Sequence, residues 1–168
     1  MKSNLFLSLS IESCLAKGLI KLGVDVILSP RNLKRTASLK QYPNCTVASD
    51  NSDVVPKSSV VLLATLPNDI ISTAKDLPWR ESQSAIAIAA GIQLSEITAA
   101  VWPAKAFRAM PISAARLLES PTAFYPNDDG VFQLFSSLGS AHPVKDNREF
   151  EIASIFGAFY GQIFALID

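Results

Sequence analysis

Five consecutive apolar residues, Val60–Ala64, constrain the fold of this 168-residue chain more than any other segment. A strand that is apolar at every position is buried on both faces, which is typical of parallel sheets covered by helices on both sides. Around it, short strand-like and helix-like segments alternate, as they do in parallel βαβ units. We therefore predict an α/β fold with a doubly wound, mostly parallel sheet flanked by helices.

The remaining elements are predicted from apolar periodicity and from turn residues. The chain opens with a strand at residues 5–7 and a helix whose apolar stripe includes Cys14 and Gly18. Further strands are predicted at residues 24–28, 46–48, 84–88, 104–109 and 122–125, and further helices at 32–41, from 67, at 93–100, at 131–138 and from 146. This order is that of a Rossmann-like domain.

Composition excludes several classes of function. Fifteen basic residues balance fifteen acidic ones, so no polyanion-binding surface and no nucleic-acid partner are predicted. Two cysteines and one histidine are too few for a disulfide framework or a metal site, and no metal is predicted. No apolar run is long enough to span a membrane, so we expect a cytoplasmic protein without a membrane partner.

Four short segments together resemble a known family. In order, they are Leu-Ala-Thr-Leu-Pro at 63–67, Ile-Ala-Ala-Gly-Ile at 88–92, Phe-Arg-Ala-Met-Pro at 107–111 and Pro-Thr-Ala-Phe-Tyr-Pro-Asn at 121–127. They are similar to the L-A-V-K-P, I-A-A-G-I, R-V-M-P and G-V-T-A-L-Y-P-N segments of pyrroline-5-carboxylate reductase, the NAD(P)H-dependent imine reductase that completes proline synthesis. The resemblance runs without gaps from Met1 to about residue 127 and more loosely to the end.

This resemblance implies a set of binding residues. Arg31, backed by Lys34 and Arg35, would favour the 2′-phosphate of NADP over NAD; the alternative is a solvated helix start. The implied cofactor-binding residues are Ser8, Ser10, Ser29, Arg31, Asn32, Ala64, Thr65, Pro67, Ala90 and Gly91. The implied substrate-binding residues are Met110, Pro111 and Ser113, and no catalytic residue is assigned.

Several departures from the family pattern fall where chemistry is expected. Leu7, Leu9 and Glu12 stand roughly where the G-x-G-x-x-G/A pattern of a dinucleotide fold has small residues beside the pyrophosphate. The family's lysine in L-A-V-K-P is Leu66 here, and its G-S-G-P-A-Y segment reads Gly-Ala-Phe-Tyr-Gly-Gln at 157–162. Arg116 is interpreted either as a cation for a substrate carboxylate or as a solvated residue.

Two functional hypotheses therefore stay open. The first is an NADP-dependent reductase that transfers hydride to a cyclic imine or a related small C=N or C=O substrate. The second is a non-catalytic relative that keeps the fold as an interaction or assembly module and has lost the cofactor site.

The last predicted helix is apolar nearly all round over residues 156–167, so it requires burial by something else. Its predicted inward residues are Ile152, Ile155, Phe156, Phe159 and Ile163. In the resembling family a helical C-terminal domain completes the active site and dimerises. We accordingly predict a dinucleotide-binding domain at 1–148, the start of a helical dimerisation region at 149–168, and a homodimer.

Overall fold

The structure is a computed structural model that describes residues 3–7, 10–30 and 38–167, with side-chain surroundings over residues 11–30 and 38–157. The strands within these ranges are β1 Ser3–Leu7, β2 Val26–Leu28, β3 Cys45–Val47, β4 Val60–Ala64, β5 Ser84–Ala87, β6 Lys105–Met110, β7 Ser120–Tyr125 and β8 Gly139–Pro143. The α-helices are α1 Ser10–Lys21, α2 Pro67–Ala74, α3 Leu94–Ala100, α4 Asp129–Ser137 and α5 Asn147–Ile167. Two 3-10 helices span Val55–Lys57 and Ser113–Leu117.

The strands form one sheet in the order β3-β2-β1-β4-β5-β6-β7-β8. Pairing is parallel from β3 to β6. The strand order reverses between β1 and β4, where Leu7 is in register with Ala64. This is the doubly wound α/β sheet that the sequence predicts, and β1 and β4 form its topological switch point.

Helices cover both faces of β4, as its apolar sequence predicts. Val60, Leu62 and Ala64 pack in the cluster that includes residues of α1 and α4. Val61 and Leu63 pack in a second cluster with residues of α2 and α3. Every residue of β4 is buried, which explains why none of its positions is polar.

The edge of the sheet beyond β6 differs from the prediction. β7 runs antiparallel to β6, and β8, which was not predicted, pairs in parallel with β7. β8 reads Gly-Ser-Ala-His-Pro and none of its residues is buried, so it has no apolar alternation that a sequence reading could detect. Its pairing depends instead on Gly139, where an added Cβ would lie 2.3 Å from the Ser120 backbone.

Two helix predictions are wrong in part. The helix predicted at 32–41 lies mostly outside the described residues, and residues 38–41, its predicted end, form a turn. In α5, Ile152, Ile155 and Phe156 are exposed rather than inward, because Phe150 and Ser154 occupy the face that packs on the sheet. The side chains of Phe159 and Ile163 lie outside the described residues.

Among the residues that the structure describes, no helix combines the length and apolarity needed to cross a membrane.

Candidate functional site

The carboxyl ends of the parallel strands bring six of the predicted binding residues to one edge of the sheet. Ser29 follows β2, Ala64 ends β4, and Thr65 and Pro67 come directly after it. Ala90 and Gly91 lie three and four residues beyond β5, in a turn that follows Ile88, whose amide donates to the carbonyl of Leu63. Open α/β sheets bind ligands in the crevice outside this edge, beside the switch point.

The Thr65 hydroxyl is the least satisfied group at this edge. Thr65 is only 2% exposed, and its Oγ1 atom has no hydrogen-bond partner among the residues that the structure describes. A buried hydroxyl without a partner costs about 1–3 kcal/mol. Pro67, by contrast, is exposed at the first position of α2, where its missing N–H costs nothing. At this edge of the sheet, the buried Thr65 hydroxyl therefore lies close in sequence to the exposed first residue of α2.

The turn after β5 leaves room at the backbone. Gly91 has φ of +79°, a left-handed conformation that favours glycine, and a Cβ added there would meet no atom within 4 Å. Ala90 beside it is also exposed. Small side chains and free space at this point allow a ligand to approach the main chain.

At the end of β2, a polar contact fixes the loop that follows β3. The Ser29 hydroxyl is buried and donates to Asn51 Oδ1 over 2.8 Å. In the same loop, a hydrogen bond from the Ser52 hydroxyl over 2.6 Å is the main cause that holds the pKa of Asp50 below its usual value. The loop beside Ser29 therefore keeps a negative charge at neutral pH.

The first turn of α1 carries a buried carboxylate. Glu12 is 2% exposed, two residues after the first residue of α1, Ser10. A helix N-terminus attracts anions, and Glu12 places a carboxylate in the turn where the dipole would also favour a phosphate. Ser8, Arg31 and Asn32 lie outside the described residues, as does the side chain of Ser10.

The predicted substrate residues do not form one cluster. Met110, at the end of β6, lines an apolar groove of about 430 Å³ together with Ala123, His142, Phe156 and Gly157. A Cβ on Gly157 would lie 2.8 Å from Met110 Cγ, so α5 packs closely on this side chain. Pro111 is buried, whereas Ser113 is exposed at the start of a 3-10 helix.

Sequence reasoning missed Arg108, which is fully buried on β6. Its guanidinium carbon lies 4.3 Å from the centroid of the Phe150 ring, and Nη2 lies 2.7 Å from Glu151 Oε1 without hydrogen-bond geometry. Its Nε and Nη1 atoms have no acceptor within the described part of the chain. The sequence shows one arginine between apolar residues and contains no signal that α5 covers it.

Arg116 lies apart from the crevice. It lines a cleft with Lys17 and Lys21 of α1, which are seven and eleven residues beyond Ser10 and hence about 10–16 Å along the helix. Arg116 is exposed, and its interpretation as a cation for a substrate carboxylate stays a prediction.

Comparison with known proteins gives a family model and several relatives. The model described as "NADP oxidoreductase coenzyme F420-dependent" matches residues 9–91. A curated pyrroline-5-carboxylate reductase from Methanosarcina acetivorans is 25% identical over an alignment of 173 positions. The alignment covers 93% of this chain and 63% of that protein. The chain thus spans less than two thirds of the length of the curated relative that it matches.

Solved structures share the fold. A pyrroline carboxylate reductase from Plasmodium falciparum with NADP bound superposes with a TM-score of 0.83 at 17% identity, covering 99% of this chain and 66% of that one. An imine reductase from Aspergillus terreus, solved in a complex that includes NADPH4, gives 0.76 at 15% identity, covering 99% and 62%. The solved structures show the fold, and the family model and the curated relative support the resemblance to pyrroline-5-carboxylate reductases that the four ordered segments indicate.

Proposed function

We propose that this chain is the nucleotide-binding part of a nicotinamide-dependent oxidoreductase that reduces a C=N or related C=O bond. The observation that carries this proposal is the buried, unpartnered Thr65 hydroxyl beside the topological switch point. The similarity to pyrroline-5-carboxylate reductases supports the class of reaction. The Thr65 hydroxyl and the open turn at Gly91 offer a place for a ligand.

The nicotinamide half of a cofactor fits the described part of the crevice. Thr65 would offer its hydroxyl to the cofactor, and Ala64, Ala90 and Gly91 would present small side chains and main-chain groups to it. Pro67 keeps the start of α2 open at the same edge. When bound, the cofactor would supply hydride. The chain's own contribution is to position it and to exclude water from the reacting carbon.

We assign NADP rather than NAD on the sequence of the segment after β2. Arg31, with Lys34 and Arg35 close behind it, would supply the cations that a 2′-phosphate requires. Ser29 would hold the end of β2 in place through its bond to Asn51, and Asn32 would add an amide.

The substrate would be a small cyclic imine bound between the end of β6 and α5. Met110 lines the groove there, and Pro111 and Ser113 follow it in the chain. An apolar groove suits the ring of such a substrate and keeps water from the C=N bond. We further propose that a second subunit completes the site through the helical region that begins at α5, as a homodimer.

A second candidate is a non-catalytic relative that keeps only the fold. The burial of Glu12 in the first turn of α1 favours it, because this carboxylate would repel a pyrophosphate at the helix N-terminus. In that case the family fold would serve as an interaction or assembly module.

Calorimetric titration with NADPH and, separately, with NADH tests the proposal. We expect saturable binding of NADPH that is tighter than that of NADH and is weakened about tenfold or more in Arg31→Ala, because a charged hydrogen bond to the 2′-phosphate is lost. Lys75→Ala, which removes an exposed cation directly after the last residue of α2, is the matched control and should leave both affinities unchanged.

Two further variants separate the candidates. Glu12→Gln keeps the size of the side chain and removes its charge, so it should tighten NADPH binding if the carboxylate repels the phosphates. Thr65→Val keeps the shape and removes the hydroxyl, so it should weaken binding. Absence of NADPH binding in both the unmodified chain and Glu12→Gln would reject the reductase and leave the non-catalytic module.

A further inference from the structure

Basic side chains line a cleft between α1 and the 3-10 helix Ser113–Leu117, away from the crevice at the switch point. Its volume is about 280 Å³. Three basic side chains from two elements line it, and none of the described residues that line it carries a carboxylate. The lining residues are Lys17, Ile20, Lys21, Tyr42, Asn44, Arg116 and Leu117.

These cations lack counter-charges within the described ranges of the chain. Neither Lys17 nor Arg116 has an ion pair or a side-chain hydrogen bond there, and Lys21 donates only to the carbonyl of Arg116 over 2.7 Å. Acidic neighbours in sequence, such as Glu119, form no pair with them. Three like charges around one cleft repel one another, and a bound anion would relieve that repulsion.

The rest of the cleft is shaped to hold a small molecule. The Asn44 side chain is held in place because its Nδ2 donates to the carbonyls of Ile20 and Val24 over 3.1 and 2.9 Å, and its Oδ1 accepts no hydrogen bond from the described residues. Tyr42, which is 39% exposed, adds an aromatic ring to the lining of the cleft. Leu117, which is 60% exposed, adds an apolar side chain. The volume is below that of most cofactor sites.

We propose that this cleft binds a small anion carrying at least two negative charges on carboxylate or phosphate groups. The anion would bridge Lys17 and Lys21 of α1 to Arg116 of the 3-10 helix, and so clamp the two elements together. The 3-10 helix begins three residues after Met110, while α1 begins at the crevice. Occupancy would therefore stiffen the connection between the cofactor edge and the groove at Met110. This site is independent of whether a nucleotide binds.

The test uses the chain without nucleotide, with citrate and with inorganic phosphate as separate probes at constant ionic strength. We expect saturable calorimetric binding of at least one probe with a Kd of about 1 mM or lower, together with amide shifts at Ile20, Asn44 and Leu117 in NMR spectra. Citrate alone identifies a carboxylate ligand, phosphate alone a phosphorylated one, and binding of both identifies a general dianion site.

The double variant Lys17→Ala/Arg116→Ala should weaken this binding by about tenfold or more, because two charged hydrogen bonds are lost. The double variant Lys57→Ala/Lys75→Ala removes the same charge from exposed positions elsewhere and should bind as the unmodified chain does. The inference is overturned by an absence of binding, by equal loss in both double variants, or by shifts confined to the crevice at Thr65 and Gly91.

Discussion

At the scale of single residues, Gly18 decides how closely α1 approaches its neighbours. A Cβ at this position would lie 2.4 Å from the Ala115 carbonyl oxygen and 2.7 Å from Leu138 Cδ2. A backbone carbonyl cannot move cheaply, so we expect Gly18→Ala to lower the free energy of unfolding by about 2 kcal/mol, despite the better helix propensity of alanine. Urea denaturation measures this change.

Gly130→Ala is the matched control, since Gly130 also lies in a helix. Its added Cβ would approach a side-chain atom instead of a backbone carbonyl, because Oδ1 of Asp128, the N-cap residue of α4, would lie 3.2 Å away. The unfolding free energy of this variant should change by less than about 0.5 kcal/mol. Equal stability of the two variants would show that α1 lies farther from the 3-10 helix. The sequence alone suggested only that Gly18 belongs to an apolar stripe; contact with residues 115 and 138 is what makes it necessary.

At the scale of elements, the Arg108–Glu151 pair joins β6 to α5. Arg108 is fully buried, while the Glu151 side chain is 43% exposed. Removing one partner leaves a buried charge without compensation, so Glu151→Ala should lower the unfolding free energy by about 3 kcal/mol. Denaturant unfolding provides the measurement, and Arg108→Leu/Glu151→Ala should recover part of the loss because no buried charge remains.

Glu119→Ala serves as its control, because Glu119 is exposed and forms no ion pair with any described residue. Its effect should stay within about 0.5 kcal/mol. If Glu151→Ala is no more destabilising than this control, the pair does not hold α5 on the sheet.

At the scale of the whole molecule, α5 leaves an apolar face exposed. Ile155 and Phe156 are 68% and 71% exposed, next to the groove lined by Met110. If a second copy covers this face, Phe156→Asp should weaken self-association by about tenfold or more, because a charge would be desolvated in the interface. Sedimentation velocity over a range of concentrations measures the association.

Trp102→Asp provides the comparison, since Trp102 is an exposed aromatic residue (77%) that lies outside α5. It should leave the association unchanged. The homodimer would be contradicted by a chain that is monomeric at every concentration, or by a Phe156→Asp variant that associates as well as the unmodified chain does.

Local sequence patterns determined the class of this fold. The unbroken apolar run at Val60–Ala64 predicted a strand covered on both sides, and the alternation of strands and helices predicted the parallel order from β3 to β6. Four ordered segments also indicated the family. These predictions succeeded because periodicity and short motifs are properties of neighbouring residues, and neighbours in sequence remain neighbours in the fold.

Tertiary structure alone decided which polar groups are buried and which meet. The burial of Arg108 depends on α5, which follows about forty residues later, and the cleft around Arg116 depends on α1, about a hundred residues earlier. Likewise, the exposed strand β8 is held by pairing with β7 rather than by a pattern of its own. A charged side chain carries the same letter whether solvent or another element surrounds it, so only long-range packing distinguishes an anchor, a ligand-binding cation and a solvated residue.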